Sequence, residues 1–141
     1  MLNSGDKVFF SDTSELAREH VKAFLEIIRG LGLVPIFYEG LTLEGRDTKI
    51  AVEMRGDLYS AKVICFYLGG STYEDNLALV EASDAVTKHG IDCLIFTAAD
   101  FAPRTLSKYG ISTPLEVVEN SKMFAEKLSA NLVALIKKSA H

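Results

Sequence analysis

The chain has 141 residues, of which 48% are hydrophobic and 24% are charged, and this is the length and composition of a single globular domain. The formal net charge of −4, with acidic and basic residues interleaved, excludes the basic surface that binding to nucleic acid or to an anionic membrane requires. No apolar run reaches the roughly 18 residues of a membrane span, and no secretory signal pattern is seen. A cytoplasmic protein is therefore predicted.

The two cysteines, Cys65 and Cys93, lie in apolar runs that are typical of strands. Burial as small hydrophobic side chains is favoured over a disulfide or a metal pair, and a reducing compartment is indicated. The three histidines, His20, His89 and His141, have no carboxylate or cysteine at metal-ligand spacing around them. We therefore expect no metal site.

Short apolar runs alternate with longer amphipathic runs along the chain, which predicts a parallel sheet with helices on both faces. Residues 7–10 predict the first strand, and residues 12–32 predict the first helix, with glycines as its stop signal. The second strand is predicted over residues 33–38, where Pro35 favours the edge of the sheet. A loop of about ten residues follows, and loops of that length often carry function.

The other predicted elements are a helix over 47–60, a strand over 61–69, a helix over 72–89, a strand over 92–98, a short strand over 113–118 and a helix over 121–139. The third strand is almost purely apolar, as in strands buried on both faces. Right-handed crossovers then favour one domain, residues 1–141, with a flavodoxin-like parallel sheet of order 2-1-3-4-5 in a three-layer α/β/α arrangement.

In such a sheet the ligand crevice lies at the carboxyl ends of the strands, between the first and third strands. This rule predicts that two loops, residues 10–13 and 69–72, are neighbours in space. The candidate binding residues in them are Phe10, Ser11, Asp12, Gly69, Gly70 and Ser71. Hydroxyls and backbone N–H groups at a helix N-terminus suit phosphate or sugar oxygens, although Asp12 is equally well explained as a helix cap. The glycine pair allows a flat ligand to approach the backbone, or serves only a tight turn.

Four acids, Glu74, Asp75, Glu81 and Asp84, lie on the predicted helix over 72–89. Glu81 falls at the border of the stripe predicted to meet the sheet, whose members are Ala78, Ala82, Ala85 and His89. No basic residue lies three or four positions from Glu81. An acid among apolar and acidic neighbours suits proton transfer or the stabilisation of a developing cation; the alternative is a boundary glutamate whose stem reaches water.

Three segments carry a resemblance to a known superfamily. Residues 7–40 resemble the first strand and helix of bacterial and archaeal TIR-like domains, and residues 45–70 resemble their next helix and the strand that ends in glycines. The E-x-x-x-A pattern from Glu81 to Ala85 is similar to the helix that leads into their fourth strand. Nucleoside 2-deoxyribosyltransferases share this arrangement, with an aspartate six residues before the catalytic glutamate, as Asp75 stands before Glu81.

The resemblance implies that Glu81 is the catalytic carboxylate at an N-glycosidic bond, either of NAD or of a nucleoside. It further implies that Ser11, Asp75 and the loop from Gly69 hold the ligand and that the loop with Arg46 covers it. A small nucleotide or nucleoside as substrate, no separate cofactor and a homo-oligomer are then expected.

The sequence also departs from the pattern of these relatives. Leu77 and Ala78 replace the glycine and threonine that the transferases carry between the two acids, and Gly90 with Ile91 replaces their lysine and proline. The alternative hypothesis is therefore a TIR-like signalling or protein-interaction module that does not catalyse a reaction.

Overall fold

The computed structural model describes residues 2–12, 20–37, 59–68, 72–98 and 115–139. The elements in these ranges are β1 (Lys7–Asp12), α1 (Val21–Gly30), β2 (Val34–Ile36), β3 (Val63–Leu68), α2 (Thr72–His89), β4 (Asp92–Ala98), β5 (Leu115–Val118) and α3 (Ser121–Ser139). Tyr59 and Ser60 are helical, and two residues separate them from β3. The predicted loop after the second strand, the predicted helix up to residue 58 and residues 99–114 lie outside the described residues.

The five strands form one parallel sheet of order β2-β1-β3-β4-β5. Val8 of β1 pairs with Pro35 of β2 on one side and with Val63 of β3 on the other. Pro35 therefore lies on an edge strand, where the missing N–H costs no ladder hydrogen bond on the open side. The predicted strand order and the edge position of Pro35 are both confirmed.

The helices cover both faces of the sheet, which gives the predicted three-layer α/β/α arrangement. Alternate side chains of each strand point to opposite faces, as the pleat requires. One face packs against α1 and α3 through Phe24, Ile28, Phe124, Leu128 and Leu132. The other face packs against α2, whose Ala82 and Ala85 are fully buried. The sheet itself therefore lies in the interior.

An aromatic cluster fills the space between β1, β4 and the two helices on their face. The Phe124 ring lies 5.0 Å from the Phe96 ring and 6.0 Å from the Phe10 ring, in edge-to-face geometry. The Phe10 ring also meets Phe24 at 5.0 Å and Phe37 at 6.0 Å. Edge-to-face pairs add to the stabilisation that burial of the rings already supplies. Phe124 thus joins the last helix to the first and fourth strands.

The glycine stop signal of the first helix is confirmed in detail. The Gly32 N–H donates to the Arg29 carbonyl at 3.1 Å, and the Leu33 N–H donates to the Ile28 carbonyl at 3.0 Å. This is a Schellman motif, which requires positive φ at Gly32, and φ there is +76°. Leu33 and Ile28 also pack in the same core. The helix ends because glycine alone adopts this conformation without strain.

The boundaries of α2, β4 and α3 agree with the predicted ranges 72–89, 92–98 and 121–139. The predicted first helix over 12–32 is described only from residue 20, with α1 proper at Val21–Gly30, and Asp12 belongs to β1. The predicted fifth strand is described from residue 115. Among the helices of the described ranges, none combines the length and apolar character needed to cross a bilayer.

Replacing the central ring of the aromatic cluster should lower stability strongly. We expect Phe124→Ala to reduce the free energy of unfolding by about 3–5 kcal/mol, because the ring is fully buried and a cavity would remain. Val117→Ala is the control, since Val117 is 37% exposed on an edge strand, and should cost less than about 1 kcal/mol. Chemical denaturation measures both, and equal losses would contradict the central role of Phe124.

Candidate functional site

The carboxyl edge of the sheet brings the ends of β1 and β3 side by side. Ser11 pairs with Phe66 and Asp12 pairs with Tyr67 in the parallel ladder. The next residue of β3, Leu68, pairs with Thr97 of β4. The backbone at Ser11 and Asp12 therefore lies beside the point where β3 leads into residues 69–71. The candidate residues Gly69, Gly70 and Ser71, and Arg46 of the covering loop, lie outside the described residues.

The Phe10 ring occupies the core. Phe10 is 1% exposed, and the rings of three other phenylalanines enclose it. The Phe10 ring is therefore not exposed to a ligand at the carboxyl edge. The prediction that Phe10 contributes to binding is therefore limited to its backbone groups.

Helix α2 runs from the carboxyl edge of the sheet to the amino edge, and two contacts fix its position along the strands. The Ala85 carbonyl accepts the Ile91 N–H at 3.0 Å, just before β4 begins. The Ala82 carbonyl lies 3.8 Å from the Cys93 Sγ, and Cys93 is the second residue of β4. Ala82 is therefore level with the amino-terminal part of β4, about 16 Å below the carboxyl end of that strand at 3.3 Å per residue.

Asp75 and Glu81 lie at different distances from the carboxyl edge of the sheet along α2. The backbone of Asp75 lies in the first helical turn, close to the carboxyl edge. The backbone of Glu81 immediately precedes Ala82 and is about 13 Å from the helix start at 1.5 Å per residue. The six positions between them amount to about 9 Å along the helix axis. Of these two acids, only Asp75 thus has its backbone in the turn of α2 at the carboxyl edge of the sheet.

The stripe that α2 turns towards the sheet is confirmed at Ala82 and Ala85 but is wrong at His89. His89 is exposed, and its ring stacks on Tyr59 with a centroid distance of 4.1 Å. The last turn of α2 extends beyond the amino edge of the sheet, because the chain must still reverse at Gly90, with φ of +63°, before β4 begins.

A buried hydroxyl that the sequence analysis did not single out lies at the same edge. Thr97 is fully buried, and its Oγ1 donates to the Leu68 carbonyl at 3.1 Å. The bond secures the last residue of β3 just before the chain leaves the sheet. The sequence carried no signal for it, since threonine is an ordinary strand residue in the run DCLIFTA.

His20 is a second buried polar residue near this edge. It is 3% exposed and stacks on Phe124 at 4.8 Å, with Tyr67 of β3 at 4.7 Å. Its Nδ1 lies 3.0 Å from the Ser121 Oγ, which links the starts of α1 and α3. His20 is isolated from metal-ligand partners in the sequence, but its spacing of four and eight residues from Phe24 and Ile28 indicates the buried face of α1.

The cysteines are buried and free, as expected. Cys65 belongs to the core on the α1 and α3 face, whereas Cys93 belongs to the core on the α2 face. Burial, and secondly the nearby Cys93, raise the pKa of the Cys65 thiol well above its ordinary value. Burial first, and then the Asp92 carboxylate, raise the pKa of the Cys93 thiol from 9.0 to about 12. Both thiols therefore act as small hydrophobic groups.

Among the residues whose positions are described, no three His, Cys, Asp or Glu side chains are grouped so that they could hold a metal ion. Comparison of the chain with protein-family models returns no match, and comparison with curated proteins returns none either. The class of protein is defined by the sheet, which is that of a flavodoxin-like three-layer α/β/α protein with its order reversal between β1 and β3.

The raised thiol pKa predicts how stability changes in alkali. The protonated Cys93 thiol is favoured in the folded chain, so its contribution is fully present below pH 9 and is lost as the pH rises towards 12. The free energy of unfolding of the wild type should fall more steeply over this range than that of Cys93→Ala, by up to about 1.4 kcal/mol per pH unit. Denaturant titrations at several pH values measure this difference, and parallel pH profiles would contradict it.

Removing the Thr97 hydroxyl should destabilise the end of β3. We expect Thr97→Val, which keeps the shape of the side chain, to cost about 1–3 kcal/mol, because the Leu68 carbonyl loses a buried donor. Thr97→Ser keeps the donor and should cost less than the valine variant. Chemical denaturation compares the two, and a valine variant as stable as the wild type would show that the hydrogen bond contributes nothing.

Proposed function

We propose that this chain is a TIR-like domain that binds a nucleotide or nucleoside at the carboxyl edge of its sheet and cleaves the N-glycosidic bond of that ligand. The observation that supports a site there is the parallel pairing of β1 with β3, from Val8↔Val63 to Asp12↔Tyr67. The strand order reverses at this pair, and α/β sheets bind ligands where the order reverses. The choice of ligand rests on the resemblance described from the sequence.

The groups available at this edge suit a sugar phosphate. Ser11 brings a hydroxyl and main-chain amides at the end of β1, and the glycine pair at positions 69 and 70 follows β3 without a side chain. Backbone N–H groups and hydroxyls are the usual ligands of phosphate and ribose oxygens in such folds. A nucleotide bound here would place its sugar between the end of β1 and the first turn of α2.

The proposed reaction breaks the bond between C1′ of ribose and the nitrogen of the base. The electron pair of that bond leaves with the base, and for NAD the nicotinamide departs as a neutral molecule that needs no proton. One carboxylate under the sugar stabilises the oxocarbenium-like state or forms an ester with C1′, and water or a second base then takes the C1′ position. The resemblance gives the carboxylate role to Glu81.

Release of free base tests the proposal. Wild-type protein is incubated with NAD and, separately, with a panel of nucleosides and 2′-deoxynucleosides, and the released base is measured by liquid chromatography. We expect release from one of these classes, and loss of release in the double variant Asp75→Asn, Glu81→Gln, which removes both candidate carboxylates without a large change in shape. Release that is unchanged in the double variant would point to a contaminating enzyme.

Measurements of binding and assembly distinguish a domain that binds a nucleotide without catalysis from a domain that has no nucleotide site. Calorimetric titration with NAD and with the nucleosides gives affinity, and elution volume with and without nucleotide tests the expected homo-oligomer. Binding without release of base would replace the enzyme by a non-catalytic TIR-like signalling module. If the protein neither binds a nucleotide nor releases a base, the proposal of a nucleotide site is contradicted.

A further inference from the structure

We propose that Ser121 is a nucleophile activated by His20, and that this pair accepts an acyl group from an activated acyl donor. The contact that carries the assignment is the 3.0 Å approach of the His20 Nδ1 to the Ser121 Oγ. A hydroxyl within about 2.6–3.2 Å of an imidazole nitrogen can pass its proton to that nitrogen as it attacks. The assignment is independent of the nucleotide site, because neither residue takes part in the proposed cleavage of an N-glycosidic bond.

The His20 ring is confined, and its Nδ1 faces Ser121. The ring stacks on Phe124 at 4.8 Å with an interplanar angle of 23°, and the Tyr67 ring lies 4.7 Å away. His20 is 3% exposed, so the packing leaves the imidazole little freedom to turn. A base held in this way stays aligned with its nucleophile, as catalysis by a serine and a histidine requires.

The same two rings offset the cost of a positive charge on His20. The imidazole becomes a cation when it takes the serine proton, and burial alone disfavours a cation. An aromatic ring within about 6 Å attracts a cation, most strongly when the cation lies over the face of the ring. Both the Phe124 ring and the Tyr67 ring lie within this distance of the imidazole. The surroundings of His20 therefore favour proton transfer from Ser121.

Ser121 is accessible to solvent, whereas His20 is not. Ser121 is half-buried and His20 is buried, so a molecule in solution meets the hydroxyl first, with the imidazole behind it. Ser121 is also the first residue of α3, which has 19 residues. The positive end of the helix dipole stabilises the negative charge that develops on the donor's carbonyl oxygen during the attack.

The burial of His20 determines the class of acyl donor. In the reaction, the Ser121 Oγ bonds to the acyl carbon and its proton passes to the His20 Nδ1. The bond from the acyl carbon to the leaving group breaks, and its electron pair departs with the leaving group. Because His20 lies behind Ser121, it does not protonate that group, which must leave as an anion. Aryl esters, thioesters and acyl phosphates meet this condition; the product is an acyl ester of Ser121, and His20 returns its proton to solvent.

Acetylation by p-nitrophenyl acetate tests the assignment. The full chain is incubated with this ester and digested, and its peptides are followed over time by mass spectrometry. We expect an acetyl ester on Ser121 that neutral hydroxylamine removes, whereas acetylated lysines keep their amide. Ser129 is the internal control, because it lies on the same helix and is also half-buried. Ser121 should react at least about 100-fold faster than Ser129, and equal rates overturn the proposal.

A variant that keeps the stacking identifies the base. His20→Phe retains an aromatic ring beside Tyr67 and Phe124 but removes the nitrogen that faces Ser121. We expect acetylation of Ser121 to slow by about 100-fold or more, because the hydroxyl loses its proton acceptor. Circular dichroism checks that the variant is folded. A folded variant in which Ser121 reacts at the wild-type rate excludes His20 as the base.

A thiol at position 121 keeps the proposal testable if His20→Phe does not fold. Ser121→Cys places a thiol beside the imidazole, which favours the reactive thiolate. Iodoacetamide should alkylate it at least about tenfold faster than the thiol of Ser129→Cys. The background is low, because Cys65 and Cys93 are buried and their pKa values are raised. Equal rates of alkylation at the two positions overturn the activation of residue 121 by His20.

Discussion

Burial of β3 on both faces is the constraint on which the other elements depend. All six of its residues, Val63–Leu68, are buried, and their side chains alternate between the two cores. A strand of this kind must be covered by helices above and below, because neither of its faces tolerates water. It also has to pair on both edges, with β1 and with β4, to satisfy its backbone groups. The covering of the sheet by helices on both faces follows from this one strand.

The two faces of β3 are covered in different ways. On one face, large rings from α1 and α3 fill a thick core around Phe124. On the other face, α2 presents Ala82 and Ala85, small residues that let the helix lie close to the strands. This close packing fixes the position of α2 along the strands.

Much of the architecture could be predicted because it depends on local signals. The apolar run of β3, the periodicity of the helices and the glycines at positions 32 and 90 each determine an element or its end without reference to distant residues. The start of α3 also has a local cause, since the Asn120 Oδ1 accepts the Met123 N–H at 2.8 Å and caps the helix. Strand order then followed from the handedness of the crossovers.

The features that could not be predicted depend on contacts between distant parts of the chain. His20 is buried because Tyr67 and Phe124 enclose it and because Ser121, 101 residues away, hydrogen-bonds to it. The Thr97 hydroxyl has its role only because Leu68 is its neighbour in the ladder. A helical wheel gives the angle of Glu81 around the axis of α2. It does not give the position of Glu81 along the strands, because that position depends on how the helix is anchored to β4.

The central place of β1 in the sheet has a consequence for synthesis on the ribosome. β1 precedes β3 in the chain, yet its inner edge is completed only when residues 63–68 have left the exit tunnel. Until then the nascent chain carries an apolar strand with open backbone groups, which is the kind of segment that associates with other chains. Between the synthesis of β1 and that of β3, β1 is thus able to aggregate with other chains. In the same period it is accessible to chaperones that bind extended apolar segments.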